Sequence, residues 1–389
     1  DLAGEGALSP LSDVVGANVE LGWDHTWSAA GTVDGTFYGA PLMASVKSFV
    51  WYSPQAFSKA GYEIPTTWDD VVALTDRIAA DHPKGDVTPW CLGMADGGTT
   101  GWSMTDWLEE TLLATSGISA YDAWAGHDVA LDSPSAVNAL GSVDSLLMRG
   151  GHVSGGRQGA LSTTMEQAGQ RLVDGSCLMM LASSSFETML PAGTTITDPK
   201  GRGEGGASGS PTAGGGATGG GTTTGGEPVE NDSAASDAVT GGGTTTSAGP
   251  ATSVSAFIFP GAADEDGNPP VLVGGDYLVS LNRANGTSAA ANAVMEYLTS
   301  AEWAQQRAEL GGVATANRGV DVSEVSSDVT VRATRILQSR QSVIRLDASD
   351  SMPSQVGTDA LWTALTSWTA GDLDAKKALA QAEAAWPSQ

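Results

Sequence analysis

The chain is poor in positive charge. Across 389 residues, 18 Lys and Arg stand against 45 Asp and Glu, a formal net charge of −27. A surface of that sign repels polyphosphate and anionic lipid, because phosphate binding rests on neutralisation by Lys and Arg. It argues against a nucleic-acid partner, and the acidic excess reads as solvated faces that confer solubility. Long hydrophobic runs are also missing: no stretch approaches the roughly 20 consecutive apolar residues of a membrane-spanning helix. The chain opens on Asp1 in a polar segment, with neither an initiating Met nor a signal peptide. The expectation is a processed or truncated product whose compartment the sequence leaves open.

Cysteine and histidine are scarce. Cys91 and Cys177 lie far apart, and neither belongs to a close Cys or His pair, which speaks against a metal site. Two readings stay open for them: a disulfide, which requires a compartment outside the cytosol, or two separate buried thiols. No two of His25, His82, His127 and His152 have metal-ligand spacing. There is no Gly-x-Ser-x-Gly elbow, and no glycine-rich run leads into the Lys and Ser or Thr of a phosphate loop. Asp264, Glu265 and Asp266 before Gly267 lack the bidentate Glu of a calcium loop and read as a polar hairpin. Asn285-Gly-Thr is a glycosylation triplet that reads equally as a turn. No cofactor is implied. A carboxylate pair for glycoside hydrolysis is set in three dimensions, so that enzyme remains the alternative reading.

Gly, Thr, Ser and Ala dominate residues 199–252. With almost nothing apolar to offset the entropy of ordering, this stretch is expected to be a disordered surface insertion. On either side, strand-like and helix-like pieces alternate. Thr67 and Asp70 form a loose capping box ahead of Trp68, Val71, Val72, Thr75 and Ile78 at helical spacing. Residues 288–312 read as two consecutive helices stopped by Gly311 and Gly312, and Leu361, Trp362, Leu365 and Trp368 form a last helix ending at Gly371. Short apolar runs beginning at Ser48, Cys177, Ser255 and Tyr277 read as strands buried on both faces. Strands alternating with helices predict an α/β architecture.

Tryptophan is abundant, with 12 residues, about twice average usage. Trp90, Trp102, Trp107 and Trp362 sit in polar, glycine-containing segments, whereas Trp68, Trp303 and Trp386 read as core. Indole faces stack on the C–H faces of sugar rings while polar groups meet the hydroxyls, the mix of small-ligand sites. For any single Trp, a half-buried packing role is the simpler account.

The stretch VDGTFYGAPLMASVKSFVWYSPQAFSKAGYEIPTTWDDVVAL resembles a hallmark of the family 1 extracellular solute-binding proteins of ABC importers. GGDYLVSL with EYLTSAEWAQQRAELGGVATANRG resembles that family's return into the first lobe. TPWCLGMADGGTTGWSMTDWLEE, IRLDASDSMPSQVG and the ending LWTALTSWTAGDL resemble its α-glucoside-binding branch.

The resemblance implies a type II periplasmic-binding-protein-like fold of two α/β lobes closing on a sugar by hinge motion. The first lobe is expected to be truncated at its N-terminus. It implies a first lobe over 1–46, a second over 47–272 and a return over 273–318, with 319–389 completing the second lobe. Implied ligand-binding residues are Lys47, Trp90, Trp102, Ser185, Phe186, Gly275 beside Gly274, Asp276, Arg345, Asp347 and Trp362; scaffold is the plainer role for each. The branch's PWC and GSC contexts favour a Cys91–Cys177 disulfide. The implied protein is no enzyme but a monomeric, lipid-anchored, extracytoplasmic receptor that delivers an α-glucoside to ABC permease subunits. A surface adhesin on the same fold is a third, weaker reading.

Overall fold

The computed structural model describes residues 2–198, 253–264, 267–283 and 286–387. The insertion expected over 199–252 lies wholly outside the described residues, and so do Glu265, Asp266 and Asn285. Among the described residues, no helix is long and apolar enough to cross a membrane.

Two sheets organise the chain, built from strands β1 (Leu8–Ser9), β2 (Thr32–Val33), β3 (Thr36–Phe37), β4 (Gly39–Val46), β5 (Phe49–Tyr52), β6 (Thr88–Trp90), β7 (Cys177–Leu181), β8 (Thr195–Ile196), β9 (Ser253–Ile258), β10 (Pro270–Leu281) and β11 (Val343–Leu346). In the first sheet, β10 is the hub. It pairs antiparallel with β1 and β4 and parallel with β11. The second sheet runs β6-β7-β5-β9-β8. β2 and β3 form a separate small hairpin.

The apolar runs behave as strands buried on both faces. Along β5, Val50 enters one core while Phe49 and Trp51 enter another; along β7, Met179 and Met180 divide the same way. That period-2 split is why these segments lack polar alternation. One core lies beneath α3 (Pro54–Ala60), α4 (Trp68–Asp81), α5 (Trp102–Ser116), α6 (Ile118–Ala125) and α7 (Pro134–Leu147). The other joins the first sheet to α1 (Asp13–Gly22), α2 (His25–Ala30) and α9 (Met165–Asp174), with α8 (Gly156–Ser162) preceding α9.

Thr67 and Asp70 form a full reciprocal capping box at α4, whose buried stripe is Val71, Leu74, Thr75 and Ile78. Such a cap satisfies two otherwise orphaned backbone donors. Helices Ala289–Leu298 and Ala301–Glu309 stand where the sequence placed a pair. The last expected helix spans Leu361–Ala370 and ends on Gly371 at φ 88°, a left-handed cap that glycine adopts without Cβ strain.

Cys91 and Cys177 are bonded, with Cα atoms 5.3 Å apart. Pairing of β6 with β7 brings them together, as the Cys91 N–H donates to the Met179 carbonyl at 2.7 Å. Trp68 and Trp386 pack on the larger core, Trp303 packs on a small satellite core, and Trp386 also stacks on His127 with centroids 3.6 Å apart.

The expected block 319–389 needs correction. Helix Asp328–Gln338 packs on β4, and β11 extends the first sheet, so the chain belongs to the first lobe up to Leu346. Beyond it, helices Leu361–Ala370 and Ala375–Glu383 pack on α5, α7 and α8 of the second lobe. The reason lies in sequence pattern: Val329, Ala333 and Leu337 make an apolar stripe that is buried in the core shared with β4.

Candidate functional site

Three segments cross between the sheets. The first is the two-residue step Lys47-Ser48 from β4 to β5, the second leads from β9 to β10, and the third leaves β11 at Asp347. They are tied together: the Lys47 N–H donates to the Leu272 carbonyl at 2.7 Å, Phe259 N–H to the Ser48 carbonyl at 2.7 Å and Asp347 N–H to the Val273 carbonyl at 2.9 Å.

Lys47, Gly274, Gly275, Asp276 and Asp347 meet here, five residues singled out from the sequence. A Cβ on Gly274 would stand 2.7 Å from Lys47 Cε, so glycine leaves room for the lysine stem. On Gly275 it would stand 2.2 Å from the Met43 carbonyl oxygen, so this glycine lets β4 and β10 approach. A register shift falls between Asp276 and Tyr277, and Asp276 is exposed beside it.

The Lys47 ammonium is held by Asp347, by Asp106 at 3.1 Å and by Asp350 at 3.7 Å. Burial pulls its pKa down, yet these three carboxylates together hold it well above the ordinary lysine value. Burial would raise Asp347, but Lys47 and hydrogen bonds from Ser349 and Asp350 hold it down at about 2. Burial pushes Asp106 up to about 7 against the pull of Lys47.

Beside this cluster lies a cavity of about 900 Å³ whose lining includes Tyr38 and Tyr277, with Asp350, Ser351, Gln355 and Thr358 facing them. The first two belong to the β4–β10 side. The others lie in the segment after β11, where Gln355–Ala360 forms a π-helical turn, a device often found at functional sites. Tyr277 is oriented by its hydroxyl, which donates to the Trp27 carbonyl at 3.0 Å.

Other expected residues stand elsewhere. Trp90 is 1 % exposed, donates through Nε1 to Thr75 Oγ1 at 3.0 Å and meets Trp107 edge-on, so it offers no face to a sugar. Phe186 is buried edge-on to Trp51, over Gly169. The platform role expected for these two gives way to packing. Ser185 is paired with the Ser183 hydroxyl at 2.7 Å. Arg345 grips both oxygens of Asp122 at 2.6 and 2.9 Å, tying β11 to α6. Trp102 and Trp362 are half-buried. Trp102 Nε1 donates to Asp96, and the Trp362 backbone packs on Gly101 at the start of α5.

Sequence reasoning passed over Asp106, Glu109 and Glu110 of α5, which are buried and reach the first and third crossings. The signal was present: DWLEE places acids at i, i+3 and i+4 on one helix face, opposite Met104, Leu108 and Leu112. It also missed Tyr38 and Asp350. The carboxylates of α5 are enclosed with protein partners on their oxygens, which is not the open pair a glycoside hydrolase needs across its cleft.

Two lobes joined by three crossings, with a cavity beside the junction, define the class of two-lobed solute receptors of the type II periplasmic-binding-protein fold. Comparison agrees and specifies the family. Residues 1–305 match the model for bacterial extracellular solute-binding proteins, and the chain belongs to that family. It is the solute receptor of an ABC importer, extracytoplasmic, and not an enzyme.

Over 390 aligned residues it is 30% identical to the osmoprotective compounds-binding protein GgtB of Synechocystis sp., covering 100% of this chain and 77% of that protein. It is 32% identical over 207 residues to the alpha-glucosides-binding periplasmic protein AglE of Rhizobium meliloti, covering 50% of this chain and 44% of that one. The fold matches that of the bacterial solute receptor AcbH with a TM-score of 0.68 at 15% identity, over 98% of this chain and 80% of that one.

Proposed function

We propose that the solute is a sugar of the α-glucoside class, captured between the lobes and handed to a membrane permease. The observation that carries this reading is the cavity beside the hinge. Its volume of about 900 Å³ falls within the range of small-ligand sites, about 300–1,000 Å³. Tyr38 and Tyr277 supply flat apolar faces, while Asp350, Ser351, Gln355, Thr358 and the neighbouring Asp276 supply hydroxyl partners. In this reading Lys47 and Asp347 fix the hinge floor, and Trp102 and Trp362 are the second-lobe aromatics that closure brings to the sugar. The lobes exchange chain at 47–48, before Pro270 and at Asp347, and the receptor works as a lipid-anchored monomer.

AglE is named for binding α-glucosides, and its likeness covers half of this chain. GgtB, alike over the whole chain, is named for osmoprotective compounds, so an osmoprotective compound that is not a sugar, probed by glycine betaine, is the second reading. A thermal-shift screen with maltose, trehalose, sucrose and glycine betaine separates them. A ligand that binds only the native state raises the midpoint by mass action, by about 2.7 kcal/mol at 100 times its Kd. The sugar reading expects a shift with at least one disaccharide, recovered intact. A shift with betaine alone would overturn it.

A further inference from the structure

One helix of the second lobe holds the first and third crossings by carboxylates spaced i, i+3 and i+4, and reaches the start of β10 through one of them. Asp106 takes Lys47 on the first. Glu110 accepts from the Ser48 hydroxyl, also on the first, at 2.6 Å, and that hydroxyl accepts from Leu272 N–H in β10 at 2.7 Å. Glu109 accepts from Ala348 N–H at 2.9 Å and Ser349 N–H at 3.1 Å on the third. All three side chains are buried.

Hydrogen counting around Glu109 requires one more proton than an ionised cluster supplies. The Tyr121 hydroxyl lies 2.6 Å from Glu109 Oε2 and 2.7 Å from the Leu346 carbonyl oxygen. A phenol has a single hydrogen, whereas a carboxylate and a carbonyl are both acceptors. Both short contacts are satisfied if Glu109 is a neutral acid donating to Tyr121, which donates onward to Leu346. We propose that Glu109 and Glu110 are hinge-positioning residues, that Glu109 acts as a neutral acid, and that loss of its proton loosens the crossings and weakens solute capture.

The charged groups facing them explain why ionisation is resisted. Lys47 is the cation, and it is already shared by Asp106, Asp347 and Asp350. Asp276 on β10 adds a further negative group beside Asp350, and Tyr121 on α6 contributes only its hydroxyl. Burial pushes Glu110 up to about 8, and burial followed by the Asp347 charge pushes Glu109 well above the carboxylate range. A carboxyl whose native pKa exceeds its unfolded value adds stability that is complete below the unfolded pKa, near 4.5. That stability is lost as pH rises through the native value. For Glu110 the loss therefore builds up as pH rises from about 4.5 and is complete above the native value of about 8.

The proposal rests on the receptor reading but is tested first without ligand. Infrared spectra of the wild type at pH 6 should show un-ionised carboxylic acid absorption that E109Q/E110Q reduces. The wild-type thermal midpoint should fall from pH 6 to pH 9, and the isosteric double variant should flatten that fall. Maltose, trehalose and sucrose titrations at both pH values then read the function. Affinity for the sugar that binds is expected to weaken about tenfold at pH 9 in the wild type, within the usual range of coupling, and to stay within about twofold in E109Q/E110Q. An unchanged pH dependence in E109Q/E110Q, or no un-ionised acid signal at pH 6, overturns the proposal. If none of the three sugars binds at either pH, the sugar reading fails while spectrum and midpoint still decide the hinge acids.

Discussion

The bond between Cys91 and Cys177 offers the most quantitative test of the fold. It closes a segment of 86 residues that carries α5 to α9, so it restrains a large part of the second lobe in the unfolded chain. In the chain-entropy account a loop of that length is worth about 4.6 kcal/mol at 25 °C. Both sulfurs lie in the packed core that contains Ala168, Leu172 and Met180. C91A/C177A therefore also leaves two small voids, of roughly 1 kcal/mol each. Unfolding entropy of about 2.1 cal/mol/K per residue, over on the order of 300 ordered residues, gives about 0.6 kcal/mol/K. The double variant should thus melt about 8–11 °C below the wild type.

Scanning calorimetry of wild type, C91A/C177A and reduced wild type measures this directly. The reduced protein, which keeps its sulfurs, should lose less than the double variant by the void contribution. Denaturation without reductant in the presence of iodoacetamide should alkylate neither cysteine. Two alkylated thiols would refute the bond. A fall of under about 2 °C in both the variant and the reduced protein would refute the loop-closure reasoning.

Three further outcomes follow from the site. Trp90→Phe removes the hydrogen bond to Thr75 and an edge contact with Trp107, so it should cost about 1–3 kcal/mol of stability and leave sugar affinity unchanged by calorimetric titration. Tyr277→Ala should do the reverse for affinity, weakening the bound disaccharide at least about tenfold, on the order of 1.4 kcal/mol, with far-ultraviolet circular dichroism preserved. Gly274→Ala places a methyl against Lys47 Cε; overpacking of this kind costs about 1–3 kcal/mol, and a second change, Lys47→Ala, should relieve part of the clash in a double-mutant cycle while its own cost includes the loss of the central cation.

How much of this was legible depended on whether a feature is local. Strands from Ser48, Cys177 and Ser255 and the cap at Thr67 were readable because apolar period and capping chemistry act over a few residues. The strand read from Tyr277 begins earlier, at Pro270. Its Gly274-Gly275 pair lies inside the strand, where glycine permits close approach of Met43 and Lys47. Trp90 misled for the opposite reason. Its polar, glycine-containing surroundings suggested an aromatic face open to ligand, but parallel pairing of β6 with β7 carries Trp90 into the core.

The hinge was half legible. Lys47, Gly274, Gly275, Asp276 and Asp347 were each singled out, but nothing in the sequence says that one ammonium must serve carboxylates that are 59 and 300 residues away. The acids of α5 carry the same lesson further. Three carboxylates on one face of a helix usually mark a solvated side, and Met104, Leu108 and Leu112 on the other face suffice to turn that one to the core. In the structure the acidic face is also enclosed, because Ser48, Tyr121, Leu272 and the backbone of Ala348 and Ser349 offer the polar partners that burial demands. Burial of acids without matching cations is costly unless protons are retained. A receptor that keeps such a cluster where its lobes join therefore carries, in its hinge, a dependence on proton activity that its largely exposed acids do not share.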